Sequence, residues 1–175
     1  LSGGNDVATF RASYTNLNQK GTQVNSSLNR NTFGFNGTLN MTKKLSTGIS
    51  ANYVTTQGEG RPITGYGESI MSQFNQWYQR QLDTERLKEY KNPDGTQRTW
   101  NRNSVSDGSP HYWDNPYWER YENVQNDQRN RVFGTVNATY KFTDWLSLTG
   151  RVMSDYYTDR RQERIATGGV REAMY

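Results

Sequence analysis

The chain has 175 residues, a formal net charge of +4 and no cysteine, so a disulfide scaffold, a zinc–thiolate site and a thiol enzyme are excluded. Hydrophobic residues make up only 31% and aromatic residues 13%, whereas an average soluble domain is roughly 45–50% apolar. No stretch approaches the ~18 consecutive apolar residues of a transmembrane helix. Since the 21 basic residues are mixed with 17 acidic ones, we expect no nucleic-acid partner.

Five stretches alternate apolar and polar residues with a period of two, which predicts β-strands. They lie at about 6–17, 30–41, 45–56, 128–142 and 145–158. In the second, Phe33, Phe35, Leu39 and Met41 alternate with Thr, Gly and Asn. Each stretch is long enough to cross a bilayer at a tilt, which takes ~9–11 residues, whereas strands of soluble proteins average about five or six. The polar face holds mostly Asn, Thr, Ser and Gly, which is typical of a wet barrel interior.

The links between these strands are of two kinds. Short turns lie near residues 42–44 and 143–144, whereas long links cover about 18–29 and 57–127. Short turns at one end and long loops at the other are typical of outer-membrane barrels. We therefore predict an all-β fold, an antiparallel transmembrane β-barrel segment whose long extracellular loop contains one helix. Since closed single-chain barrels have at least ~8 strands, we expect residues 1–175 to be a fragment of one larger barrel domain, without plug or signal peptide.

The long insertion begins with a helical pattern between residues 67 and 90. Ile70, Phe74, Trp77, Tyr78 and Leu82 recur at spacings of three and four, as in an amphipathic helix. Glu68 near the start suits the helix dipole, and the turn residues 93–95 are expected to end the helix.

The insertion is also dense in aromatic residues, with turns predicted at 107–108, 109–110 and 115–116. Flat rings beside Asn, Asp and Arg suit sugars, peptides or a protein interface. The alternative for any one ring is that it packs a loop that has little other core. The candidates for ligand or partner binding are Trp77, Tyr78, Trp100, Tyr112, Trp113, Tyr117 and Trp118.

Catalytic chemistry is missing from the sequence. His111 is the one histidine, so a multi-histidine metal site cannot be built. No nucleotide-binding or hydrolase motif occurs. Arg160, Arg161 and Arg164 form a basic cluster that is expected to be a solvated loop. We expect no enzyme, no metal and no cofactor.

The order of short motifs along the chain resembles the barrel of SusC/RagA-type TonB-dependent transporters of Bacteroidota. The motifs are Leu1-Ser2-Gly3-Gly4-Asn5-Asp6, residues 14–21, residues 28–33, Asp114-Asn115-Pro116-Tyr117-Trp118, residues 130–134, residues 145–151 and Asp155-Tyr156-Tyr157. The resemblance implies a 22-stranded barrel of the cell outer membrane with an N-terminal plug, of which this chain is an internal slice. It implies a SusD-like surface lipoprotein as partner, energy supplied by the TonB complex through missing N-terminal parts, and import of oligosaccharides or peptides.

Two other interpretations stay open. A soluble secreted β-sandwich that binds glycans through Trp100, Trp113 and Trp118 would share the alternation. A surface adhesin or structural barrel without transport is the third, and it would lack a plug domain before Leu1. The identity of the cargo depends on loops and a partner that the sequence does not include.

Overall fold

The computed structural model describes residues 1–65 and 69–174. Its six strands are β1 (Ser2–Gly4), β2 (Ala8–Lys20), β3 (Ser27–Asn40), β4 (Leu45–Glu59), β5 (Val124–Lys141) and β6 (Ser147–Arg164). They form one antiparallel sheet in which every strand pairs with its neighbour in sequence. The predicted all-β, antiparallel architecture is therefore confirmed, while barrel closure and membrane crossing stay predictions.

The strands differ from the sequence prediction mainly at their ends. A sixth, short strand β1 pairs with β2, with Gly3 opposite Phe10. β5 begins at Val124, four residues before the predicted start, and β6 runs to Arg164, six residues beyond the predicted end. Arg160, Arg161 and Arg164 thus lie in a strand and not in a loop. Apart from Val124 the added residues are polar, so apolar alternation could not mark them.

Two α-helices and two 3₁₀-helices lie outside the sheet. They are α1 (Ile70–Gln76), α2 (Pro116–Tyr121), and 3₁₀ turns at Arg86–Lys88 and Val170–Met174. The helix predicted between residues 67 and 90 is too long, since α1 ends at Gln76; Glu68 lies outside the described residues. Further along the predicted helix, the Glu85 amide donates to Asp83 Oδ1 at 2.9 Å. Such a local side-chain acceptor competes with the backbone hydrogen bonds of a helix.

The chain divides into two compact units. The first, here called the sheet unit, comprises Leu1–Gln19, Leu28–Gln57 and Gln128–Arg160. The second, here called the loop unit, comprises Lys20–Ser27, Gly58–Asp127 and Arg161–Tyr175. The predicted insertion is therefore a folded unit that also takes in the β2–β3 turn and the last residues of the chain.

Three tight turns join strands of the sheet unit, and each is closed by a side-chain oxygen that accepts backbone amides. Asn5 Oδ1 accepts from residues 7 and 8, both at 2.9 Å. Thr42 Oγ1 accepts from residues 44 and 45, and Thr143 Oγ1 accepts from residue 146. Such local caps stabilise sharp reversals of the chain.

Cross-strand contacts fix the register of the sheet unit. The Thr9 and Thr38 hydroxyls lie 2.5 Å apart across β2 and β3, and those of Thr139 and Thr149 lie 2.9 Å apart across β5 and β6. Between β4 and β5, Gly48 leaves room for Asn137, whose Oδ1 would lie 2.7 Å from an added Cβ. The polar side chains named here share one face of the sheet, as the alternation predicts.

The opposite, apolar face carries a row of rings at one level. Tyr14 packs on Phe33 with ring centroids 4.8 Å apart, and Phe33 stacks on Tyr53 at 6.4 Å. The registers of the remaining strands bring Val132 and Tyr156 to the same level. We call these five residues, four aromatic and one valine, the distal aromatic row, because they lie towards the end of the apolar face that is away from the three tight turns.

Candidate functional site

The candidate site lies in the loop unit, and its frame is built from buried polar side chains. Asn115, which is 1% exposed, caps α2 by accepting from the Tyr117 amide at 2.8 Å. Its Nδ2 donates to the carbonyls of Leu87 and Arg98 at 3.1 and 3.0 Å. The predicted turn at 115–116 is thus a helix start, with Pro116 at the first helical position.

Arg120 of α2 holds separate segments of the loop unit together. The side chain is 3% exposed, and its guanidinium donates to the backbone carbonyls of residues 24, 25, 60 and 61. Asn25 returns a hydrogen bond from Nδ2 to the Arg120 carbonyl at 2.8 Å. Gly60 allows the close approach with a φ of 56°, which other residues seldom adopt. One buried cation therefore donates to four backbone carbonyls from two separate segments of the loop unit.

Glu119, the neighbour of Arg120, is a second buried charged residue. It is 2% exposed, accepts from Asn123 Nδ2 at 2.6 Å and lies 3.3 Å from Arg171 Nη1. Burial raises the pKa of Glu119 to about 7, against the opposing effects of the Asn123 hydrogen bond and the Arg171 charge. Arg171 also pairs with Glu163 at 2.7 Å, which ties the last turn of the chain to this core.

Three of the predicted site residues form a layered aromatic platform. Trp77 stacks on Tyr112 with centroids 6.1 Å apart and also contacts Trp113 at 6.0 Å. Trp77 is 45% and Tyr112 is 61% exposed, whereas Trp113 is buried beneath them. Tyr112 has a φ of 63°, which is uncommon for a non-glycine residue and marks a position held by its surroundings. We call these three residues the aromatic platform.

The other four predicted residues lie in two further clusters. Tyr78 and Trp100 contact each other at 6.4 Å, and both contact Phe74 of α1. Trp118 is buried, 3% exposed, with the Tyr90 ring at its edge. Tyr117 stacks on Tyr121, which in turn stacks on Tyr90. Only Trp77 and Tyr112 among the seven candidates present large exposed faces, so these two are the rings best placed to meet a ligand.

The remaining features concern the single histidine, metal-binding groups and membrane-spanning helices. His111 packs edge-on against Tyr112, with ring centroids 3.7 Å apart. Among residues 1–65 and 69–174, no group of three or more metal-binding side chains is found. Within the same described ranges, no helix is long and apolar enough to cross a membrane.

Sequence reasoning missed the buried charged and amide residues of the loop unit. Glu119, Arg120 and Asn123 read as ordinary polar positions, since such side chains are mostly exposed. The one available signal was Asn115 followed by Pro116, which is a helix-start pattern. No family model matches the chain, and no curated protein matches it either.

Proposed function

We propose that the chain is part of the wall and exterior loops of a TonB-dependent outer-membrane transporter of the SusC/RagA type. In this proposal it is not catalytic and works with a SusD-like surface lipoprotein to import oligosaccharides or peptides. The sheet unit forms barrel wall, and the loop unit offers the aromatic platform to cargo or to the lipoprotein.

The distribution of burial is the observation that carries the proposal. Every buried side chain among the described residues belongs to the loop unit, and the sheet unit has none. Apolar residues of the sheet unit are widely exposed, including Leu148, Val152 and Tyr156 at 64%, 72% and 67%. A contiguous exposed apolar face of this kind is typical of a surface that contacts a membrane or another protein. In this proposal it contacts the bilayer.

The apolar face also has two edges, as a membrane-facing band requires. Two residues beyond the distal aromatic row the same face turns polar, with Asn16, Asn31, Thr55, Asn130 and Thr158. Near the tight turns the face ends in Met41, Tyr140 and Phe142. Ten residues separate Val132 from Phe142, or ~33 Å along a strand and about 25 Å of height at a tilt near 40°, which matches the band of outer-membrane barrels.

The side chain of Tyr14 behaves as interfacial tyrosines do. Its ring lies on Phe33, while its hydroxyl donates to Asn31 Oδ1 at 2.7 Å on the polar side of the row. Tyrosine and tryptophan collect at membrane interfaces because the ring is apolar and the polar atom prefers water.

The soluble β-sandwich is supported less well than the barrel. A sandwich buries the inner faces of two packed sheets, whereas all six strands of the described chain belong to a single sheet. We therefore retain glycan binding only as a possible role of the aromatic platform within the transporter.

Cysteine labelling tests the proposal directly, because the native chain has no cysteine. Single cysteines are introduced at Val136 on the apolar face and at the exposed Ser13 on the polar face, and the native protein is labelled in intact outer membranes. A charged, water-soluble maleimide should label Ser13→Cys and spare Val136→Cys. After detergent extraction and denaturation, both variants should label equally.

The contrary result is equally clear. Equal labelling of the two variants in the native state, together with recovery of the protein in the soluble fraction, would contradict the membrane assignment. The sandwich would then be the better interpretation.

A further inference from the structure

The polar face of the sheet unit has an uneven distribution of charge. Towards the distal aromatic row, Arg129 pairs with Asp159 at 2.6 Å and Arg131 pairs with Asp155. Towards the tight turns, the same face carries Arg11, Lys44, Lys141 and Arg151, with Lys43 in the adjoining turn. In the part of the chain that the structure describes, none of these five cations forms an ion pair.

Two of these cations oppose each other directly. The Lys141 amide donates to the Lys44 carbonyl at 2.8 Å, which makes the two lysines cross-strand neighbours. Like charges directly opposite each other in a sheet are destabilising. Such an arrangement is relieved when an anion lies between the two ammonium groups.

The cations line two cavities. One, of about 530 Å³, is lined by Lys43, Lys44 and Lys141, with Asp6 as its one acidic residue. The other, of about 490 Å³, holds Arg11 and Arg151 and contains no acidic residue. Its other polar lining side chains are Thr9, Asn36, Thr38, Ser50, Thr135 and Asn137, which can both donate and accept hydrogen bonds.

We propose that this basic half of the polar face docks a polypeptide segment rich in Asp or Glu. Six residues along β4 separate the level of Lys44 from that of Ser50, which is also the level of Arg11, so the cations are spread over about 20 Å. A single phosphate cannot contact charges so far apart, whereas an extended segment of about six residues can present a carboxylate to each. The hydroxyl and amide side chains between the cations suit the backbone of such a segment. The assignment of this polar face to the interior of a barrel rests on the proposed function. The distribution of charges on the face does not depend on that function.

Zero-length carbodiimide cross-linking of the purified native protein tests the docking, because it joins an ammonium to a carboxylate only where the two are in contact. The loop unit supplies two internal standards, Lys88 with Glu85 at 2.6 Å and Lys91 with Glu122 at 2.8 Å. We expect peptide mapping to find Lys44 and Lys141 joined to Asp or Glu of a segment other than Asp6, with yields comparable to those of the standards. Raising the salt concentration before cross-linking should lower these yields, since exposed charge pairs are screened.

Matched variants sharpen the result. Lys44→Gln and Lys141→Gln should each lose their own cross-link, while Lys20→Gln, outside the basic half, should leave both in place. The proposal is overturned if the standards link but Lys44 and Lys141 stay unlinked or join only Asp6. Lysines that resist acetylation without cross-linking would indicate a small anion or a lipid phosphate, which also overturns it. Failure of the membrane assignment is recognised separately, by the cysteine labelling of Val136 and Ser13, neither of which lines the two cavities.

Discussion

The sheet unit and the loop unit place their polar and apolar residues in opposite ways. The sheet unit exposes its apolar side chains and, among the described residues, buries none of its side chains, whereas the loop unit buries amides, carboxylates and guanidinium groups. The loop unit therefore supplies its own core through hydrogen bonds and ion pairs. In the proposed function, the bilayer covers the exposed apolar face of the sheet unit. The two units should accordingly respond to different kinds of substitution.

The largest effect is expected at Arg120. Arg120→Ala removes the hydrogen bonds to the carbonyls of residues 24, 25, 60 and 61, of which the bond to residue 60 is buried and the other three are partly buried. A buried group left unpaired costs about 1–3 kcal/mol, and a partly buried one costs less. Allowing for water entry, we expect the loop unit to lose about 4 kcal/mol of unfolding free energy. Pulse proteolysis of the native protein in urea measures this loss.

Arg86→Ala is the matched control for Arg120, because Arg86 is an exposed arginine in the same unit. It should leave the proteolysis midpoint nearly unchanged. Arg120→Lys keeps the charge but lacks the fork of donors, so it should rescue little. A loop unit that tolerates Arg120→Ala would show that its polar core is not what holds it together.

The second effect is a pH dependence of the loop unit that comes from Glu119. Its pKa of about 7 in the folded chain lies above the ordinary value of 4.5, because burial disfavours the carboxylate. Between these pH values the unfolded chain is ionised while the folded chain still holds the proton. Stability therefore falls as the pH rises from about 4.5 to 7, by on the order of 3 kcal/mol.

Pulse proteolysis at pH 5 and pH 8 should show this loss in the native protein. Glu119→Gln removes the ionisable group, so its stability should be nearly flat across the range. The exposed Glu85→Gln variant should keep the native slope. If the native loop unit is instead more stable at pH 8 than at pH 5, the prediction is wrong. Glu119 would then be ionised in the folded chain, with its charge balanced by its hydrogen-bond and ion-pair partners.

The third effect concerns the sheet unit. Val136 is 51% exposed and lies midway between Val132 and Tyr140 on the apolar face. A lysine at the midplane of an outer-membrane barrel costs about 2–4 kcal/mol, so Val136→Lys should impair assembly, as should Lys or Asp at Leu39. Lys at Asn36 or Asn137, on the polar face, should be milder. The fraction of folded barrel, read from heat-modifiable electrophoretic mobility, measures the difference, and equal effects on both faces would contradict the assigned facing.

The sequence predicted the sheet unit far better than the loop unit. A period of two is a local property, so five strands could be found from their own residues. The short β1 carries no such pattern, and it is defined by its pairing with β2, in which Ser2–Gly4 lie opposite Thr9–Arg11. Likewise, the polar ends of β5 and β6 are held by pairs such as Arg129 with Asp159, which are 30 residues apart.

The loop unit was harder to predict because distant residues decide its structure. α1 ends where Trp77 meets Tyr112 and Trp113, which lie about 35 residues further along the chain. Burial of Glu119 and Arg120 depends on partners at residues 24, 60 and 171. The seven aromatic candidates were predicted to gather in the insertion, but their division between exposed and buried rings could not be read from spacing.

The smallest effect is expected in the distal aromatic row. Phe33→Leu keeps an apolar side chain of similar burial but removes the ring contacts with Tyr14 and Tyr53, at 4.8 and 6.4 Å. Cross-strand aromatic pairs contribute about 0.5–1 kcal/mol each, so assembly of the barrel should weaken by about 1 kcal/mol. Phe35→Leu, two residues further along the same face and outside the row, is the control and should cost less. If the row marks a membrane interface, the deficit should appear in lipid vesicles and shrink in detergent, because only a bilayer has an interface at a fixed depth. Equal deficits in both media would mean that the rings act only on each other.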